Sequence, residues 1–147
     1  SRCQIIHFSL IPEELLKSIA SDEEKIKLSQ GRSGRLIDWQ KDEEEFVNYK
    51  KEIDRFNSLF DRPFFEKLKK VEELFGDKSD HIGTREKLDS ALSIWQSQVR
   101  ERVLIDLNSK ENRNFLQVEK NILKARMLLK QNIHPRLLVE NILLLIP

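Results

Sequence analysis

Glycine and proline are scarce, with four of each in 147 residues against ordinary usage of about 7% and 5%. So few chain breakers exclude collagen-like repeats, Gly/Ser linkers and most turn-rich β-sandwiches. A single cysteine excludes an internal disulfide framework and fits a reducing, cytoplasmic setting. No run reaches the ~18 apolar residues of a membrane span. The most apolar stretch, Leu137 to Ile146, is interrupted by Glu140 and Asn141, so no membrane partner is expected. An excess of one charge sign is missing too: 26 Lys and Arg stand against 25 Asp and Glu, and the formal charge of +1 singles out neither nucleic acid nor lipid. The opening residues Ser1-Arg2-Cys3-Gln4 carry no signal-peptide pattern and no initiator Met, so Ser1 reads as an internal position in a longer protein. What is abundant is charge itself, 35% of residues where about 25% is usual, together with apolar residues at helical spacing.

The segment Cys3-Gln4-Ile5-Ile6-His7-Phe8 leans to β but has no partner strand after it, so it is expected to be a short β remnant. Helices follow. Pro12 suits a first helical position, and Leu15, Leu16 and Ile19 supply an apolar face. Ser21-Asp22-Glu23-Glu24 has capping-box spacing, which predicts a Ser21 cap for a short helix ending at Gly31. Ser33 is then expected to cap a helix with Leu36, Ile37 and Trp39 inward. Asp42 to Glu45 opens a long helix, with Phe46, Tyr49, Ile53, Phe56 and Phe60 on one stripe. Phe64, Phe65, Leu68, Val71, Leu74 and Phe75 form another set, closed by Gly76. Asp77 to Gly83 reads as a loop and Asn108 to Asn114 as a turn. Between them Leu88, Ala91, Leu92, Trp95, Val99 and Val103 keep the helical period, and Phe115, Val118, Ile122, Ala125 and Leu129 mark the next helix. Pro135 opens the last. The expected class is all-α: a short helical region over 1–40, too small to hold a core alone, and a helical bundle over 44–147.

Little here points to catalysis. His7, His81 and His134 are scattered, with none at i, i+4 from another or from Cys3, so no metal site is expected. A phosphate loop of the form G-x-x-x-x-G-K-[ST] is absent, so this chain alone is not expected to bind or hydrolyse ATP, and no cofactor is expected in it. Glu43, Glu44 and Glu45 are consecutive and cannot face one another on a helix; they read as a solvated acidic first turn. Trp39 and Trp95 lie on apolar stripes and read as core or interface anchors. Lys110, Arg113, Lys120, Lys124, Arg126, Lys130 and Arg136 outnumber Glu111 and Glu119 around them. With only Phe115 interleaved, they read as a solvated or salt-bridged partner face before a phosphate-binding one.

Three segments are more specific. Ser1-Arg2-Cys3 resembles the Ser-Arg-Cys motif at the end of the ATPase core in clamp-loader subunits of the AAA+ class. Gly31-Arg32-Ser33-Gly34-Arg35 resembles the Gly-x-x-Gly-Arg segment that opens the last helix of the AAA+ lid, with Arg32 where that family prefers Ser and Leu36 where it prefers Ala. The end of the chain, from Ala125 through Asn132-Ile133-His134-Pro135 to Leu144, resembles the last helices of the delta-prime subunits of bacterial DNA polymerase III, which close in an Asn-x-x-Pro-x-Leu-x-x-Glu-x-Leu-Leu pattern. The three occur in family order. The stretch from about 42 to 114 matches only as helical pattern.

The resemblance implies the end of the AAA+ core and the lid within 1–40, and a helical collar over 44–147 that assembles with other clamp-loader subunits. It implies indirect action on the sliding clamp and primed DNA within the polymerase III holoenzyme, whose ATP-driven loader does the work. Arg2 would be an arginine finger acting in a neighbouring subunit, and only in the full complex; Arg suits that role because its charge is permanent and its planar fork meets phosphate oxygens. Gly31, Gly34 and Arg35 would carry the lid motif. A last helix apolar on more than one side marks Pro135, Leu137, Leu138, Glu140, Ile142, Leu144 and Leu145 as an expected subunit interface. Two alternatives stay open: the gamma/tau subunit of the same machine, and an unrelated helical adaptor.

Overall fold

Apolar residues recurring every three or four positions fold into helices throughout. The computed structural model describes residues 9–76, 81–105, 111–131 and 133–147. Among these residues the helices are α1 (Glu13–Leu16), α2 (Glu23–Ser29), α3 (Ser33–Lys41), α4 (Glu43–Asn57), α5 (Phe64–Val71), α6 (His81–Ile105), α7 (Glu111–Leu129) and α8 (Pro135–Leu143), with a 3-10 turn at Glu72–Phe75. The class is all-α, with no strand among the described residues. The β-leaning residues 3–8 lie outside them. Packing divides the chain into two compact units, Ser1–Tyr49 and Lys50–Pro147, and the division falls within α4.

Aspartates start two helices of the first unit. Asp22 Oδ1 accepts the N–H groups of Glu24 and Lys25 at 3.0 and 3.2 Å. Asp42 Oδ1 does the same for Glu44 and Glu45 at 3.0 and 3.2 Å. Both fill N–H groups that a first turn leaves open. The α2 cap is therefore Asp22 and not Ser21, one residue later, where a full negative charge meets the positive helix end. Ser33 likewise is the first residue of α3 and not its cap, which is Arg32 without a side-chain bond. The apolar core of this unit is Leu16, Ala20, Ile26 and Leu36, with Ile11 against it. Ile37, expected inward, is exposed: Leu36 and Trp39 occupy the inner face, and Ile37 is rotated about 100° from Leu36.

In the second unit one continuous core runs from Phe56 and Leu59 through Leu88, Leu92, Trp95 and Val99 to Val118, Ile122, Val139, Ile142 and Leu143. Helices α6 and α7 form its long pair. Arg126 of α7 holds Asp89 of α6 through Nε at 2.7 Å and Nη2 at 3.2 Å, and Gln96 Oε1 through Nη1 at 3.0 Å. Arg100 Nε meets Glu119 at 2.6 Å. Arg85 donates to the Leu129 carbonyl at 2.5 Å, filling an acceptor that the end of α7 leaves open. Helix α4 ends at Asn57, short of Phe60, which packs half-buried from the following turn. Phe64 and Phe65, expected inward, are exposed on α5, where Val71 and the Lys67 stem take the inner side. His81–Gly83 begin α6 where a loop was expected, and residues 111–114 begin α7; the rest of those two expected loops, 77–80 and 108–110, lies outside the described residues.

Candidate functional site

The residues singled out in the first unit do different things. Arg2 lies outside the described residues. Gly31 follows Gln30, the α2 C-cap in the left-handed region at φ 52°, and itself has φ 79°. Its carbonyl accepts the Ile11 N–H at 2.9 Å. A Cβ there would stand 2.9 Å from both the Ile11 carbonyl oxygen and Leu10 Cβ, so backbone conformation and close approach each call for glycine. Gly34, in the first turn of α3, meets nothing within 4 Å of where a Cβ would lie.

Arg35 lies over two rings. Its guanidinium carbon is 5.0 Å from the Tyr49 centroid and 5.8 Å from that of Trp39, and Nη1 donates to Tyr49 Oη at 3.3 Å. Burial pulls the guanidinium below its ordinary value, opposed by Tyr49. Trp39 packs against Tyr49 at 4.7 Å and Phe46 at 5.1 Å between centroids. On Phe46 sits a second cation, the buried Lys25, 5.0 Å from its centroid. Lys25 Nζ donates to the Trp39 carbonyl at 3.1 Å and pairs with Glu43. An aromatic triad flanked by two cations thus ties α2, α3 and the start of α4 together, and Arg35, expected from the sequence to carry a lid motif, is half-buried within it.

In the second unit α8 sorts its residues by face. Pro135 is the first helical residue, as its missing N–H allows. Leu138 and Ile142 are buried in the unit's own core, and Leu145 packs partly buried against it. Leu137 and Leu144 point away, 56% and 65% exposed. Glu140 accepts from Arg136 Nε at 3.0 Å, and Arg136 Nη1 reaches Glu72 at 3.3 Å. Of the seven expected interface residues, Leu137 and Leu144 alone are large apolar side chains on the open side. Arg126 and Arg136, counted among the basic residues of this region, are held in the internal pairs described above; Lys120, Lys124 and Lys130 are exposed. The side chain of Arg113, and Lys110, lie outside the described residues.

Polar anchoring inside the second unit centres on Glu52. Its Oε1 accepts Trp95 Nε1–H at 2.7 Å and its Oε2 pairs with Arg55 at 2.5 Å. Burial raises this carboxyl, with Arg55 and the Trp95 hydrogen bond opposing. Lys67, also buried, donates to the carbonyl oxygens of Ile146 and Pro147 at 2.5 and 3.1 Å, and burial lowers its ammonium. A groove of about 630 Å³ beside Arg55 is lined by acids and cations in near balance, including Lys51, Asp54, Glu66, Lys69 and Glu73. No group of three or more His, Cys, Asp or Glu suited to a metal occurs among the described residues, and none of their helices is long and apolar enough to cross a membrane. Sequence reading missed Lys25, Glu52 and Lys67, because charged residues at scattered positions give no periodic signal of burial. No family model, curated protein or solved structure matches the chain.

Proposed function

We propose that this chain is the lid and collar part of a cytoplasmic clamp-loader subunit of the delta-prime type, a helical assembly module without catalytic chemistry of its own. The reading is carried by three motifs in family order, Ser1-Arg2-Cys3, Gly31 to Arg35, and Asn132 to Leu143. The geometry at Gly31 supports it: the first glycine of the lid-like segment occupies a position where a side chain does not fit. The open side of α8 supports an assembly role, since Leu137 and the C-cap Leu144 stand exposed while Leu138, Val139, Ile142 and Leu143 turn into the core. In the assembled ring Arg2 would meet a neighbour's γ-phosphate, the lid would follow nucleotide state, and the collar would hold the subunits while the ATPase parts open the clamp. A helical adaptor outside replication is the second reading, favoured by the same exposed leucines.

Reconstitution separates the two. The chain, joined to the ATPase core it implies, should enter a ring with the other clamp-loader subunits on a sizing column. Leu137→Glu with Leu144→Glu should abolish entry while leaving the helical signal intact, because a carboxylate buried without a partner costs several kcal/mol. Arg2→Ala should leave the ring whole and slow its DNA-stimulated ATP hydrolysis; arginine fingers are worth about 10³–10⁵ in other phosphoryl-transfer systems. Failure of the unaltered protein to enter any such ring overturns the clamp-loader reading in favour of the adaptor.

A further inference from the structure

Helix α7 has a second face. Val118, Ile122, Ala125 and Leu129 turn into the core. Directly opposite stand Leu116, Leu123 and Met127, 44%, 41% and 66% exposed. Spaced i, i+7 and i+11, they fall within about 40° of one another around the helix and form a straight seam of about 16 Å. Lys120 and Lys130 flank that seam and Lys124 lies beside it, all exposed. They form no ion pair among the described residues. The acids nearest this face are already engaged: Glu119 with Arg100 and Asp89 with Arg126. Beside Leu123 and Met127 runs a groove of about 410 Å³, bordered by Asp89, Arg126, Lys130 and Gln131. The surface is therefore apolar along its midline and positive at its margins, and the two acids that border it, Glu119 and Asp89, are paired.

We propose that this outward face of α7 docks an acidic amphipathic helix of a partner protein, its apolar stripe on Leu116, Leu123 and Met127 and its carboxylates on Lys120, Lys124 and Lys130. A straight apolar seam on a helix is matched by the ridge of another helix. The flexible, polarisable Met127 at the groove lets that ridge settle without strict shape complementarity. Margins of one charge sign select a partner of the other sign and speed the encounter. The inference does not depend on the clamp-loader reading; an adaptor would use the face in the same way.

The test uses the full chain and a labelled peptide of about five helical turns, with leucines at i, i+3, i+4 and i+7 and glutamates elsewhere, followed by fluorescence anisotropy. Saturable binding is expected, weakening as salt rises. Leu123→Glu and Met127→Glu should each weaken it about tenfold or more without changing the helical signal, since both side chains are exposed. Lys120→Glu with Lys124→Glu should lose the glutamate peptide and gain its lysine counterpart, a swap that an unfolded variant cannot produce. No saturable binding, equal binding of a scrambled peptide, or indifference to Met127→Glu overturns the proposal. So does tighter binding of phosphatidylserine vesicles or of a thymidine oligonucleotide that the same substitutions abolish, or self-association of the chain that Met127→Glu removes.

Discussion

The two units solve the problem of a small core in different ways. The second gathers a long run of buried aliphatic and aromatic side chains around Trp95 and adds the buried polar anchors Glu52 and Lys67. The first buries only four aliphatic residues in its core cluster and closes with Trp39, Phe46 and Tyr49 held under Lys25 and Arg35. Area burial scales with size, so a short unit has less hydrophobic stabilisation to offset chain entropy. Hydrogen bonds and cation–ring contacts then carry a larger share, each worth on the order of 1 kcal/mol. Stability in the second unit should therefore respond most to lost volume, and in the first to lost polar contacts and backbone fit.

The largest effect expected is Trp95→Ala. It opens a cavity at the centre of the larger core and leaves Glu52 Oε1 without its indole donor; such changes cost about 3–5 kcal/mol. Urea unfolding followed by circular dichroism checks it, and a loss below ~1 kcal/mol would mean that this core is not the main source of stability. Gly31→Ala comes next, at about 1–3 kcal/mol, from a left-handed backbone and a 2.9 Å approach to the Ile11 carbonyl. Hydrogen exchange should accelerate in residues 9–49 and stay unchanged beyond 60; uniform acceleration would contradict separate behaviour of the two units. Lys25→Met keeps the stem and removes the donor to the Trp39 carbonyl. The expected cost is about 1–2 kcal/mol, since Glu43 is exposed and finds water. A neutral result would show that packing, not polarity, holds the first unit.

Glu52 sharpens the contrast through pH. Its carboxyl is raised above the ordinary 4.5 by burial, so the folded chain binds this proton more readily than the unfolded one. Its contribution to stability therefore falls as pH rises from about 4.5 through the raised value. Glu52→Gln retains an oxygen for Trp95 Nε1–H and removes that slope, with a change within about 1 kcal/mol at neutral pH. Stability measured from about pH 4, where ordinary carboxyls titrate, up to about pH 8 should diverge between the two proteins in the sense given. Identical slopes would place the titrating group elsewhere.

What the sequence discloses follows from the range of the signal. The stripes Phe46, Tyr49, Ile53, Phe56 and Leu88, Leu92, Trp95, Val99 are local periodicities, and all of these residues are buried. Asp42 was readable as a helix start for the same reason. Caps one residue apart, Ser21 against Asp22, are separated only by the backbone register. Inner and outer faces of short helices are not legible at Ile37, Phe64 and Phe65, because a turn or two of helix leaves the direction of the core open. Long-range matches give no local sign: Asp89 and Arg126 are 37 positions apart, and Lys67 meets Ile146 across 79. The glycines are instructive. Gly31 and Gly34 look alike in a Gly-x-x-Gly-Arg segment, yet a left-handed backbone and the path of Leu10 and Ile11 make only the first obligatory.

Gly34→Ala is accordingly the smallest effect and the one that best divides fold from function. Gly34 sits in the first turn of α3 with ordinary helical backbone, exposed, and an added Cβ would meet nothing within 4 Å. Alanine there limits the unfolded chain and suits the helix, so a gain of about 0.4–1 kcal/mol is expected, against the loss at Gly31. A loss at Gly34 in the isolated chain would show that the start of α3 is less open than this. If the chain gains stability and yet the reconstituted ring assembles less well, the glycine serves a surface that approaches α3 only on assembly. Unchanged assembly with the same gain would leave Gly31 as the one glycine of the segment that the fold requires, and Gly34 without a role in assembly.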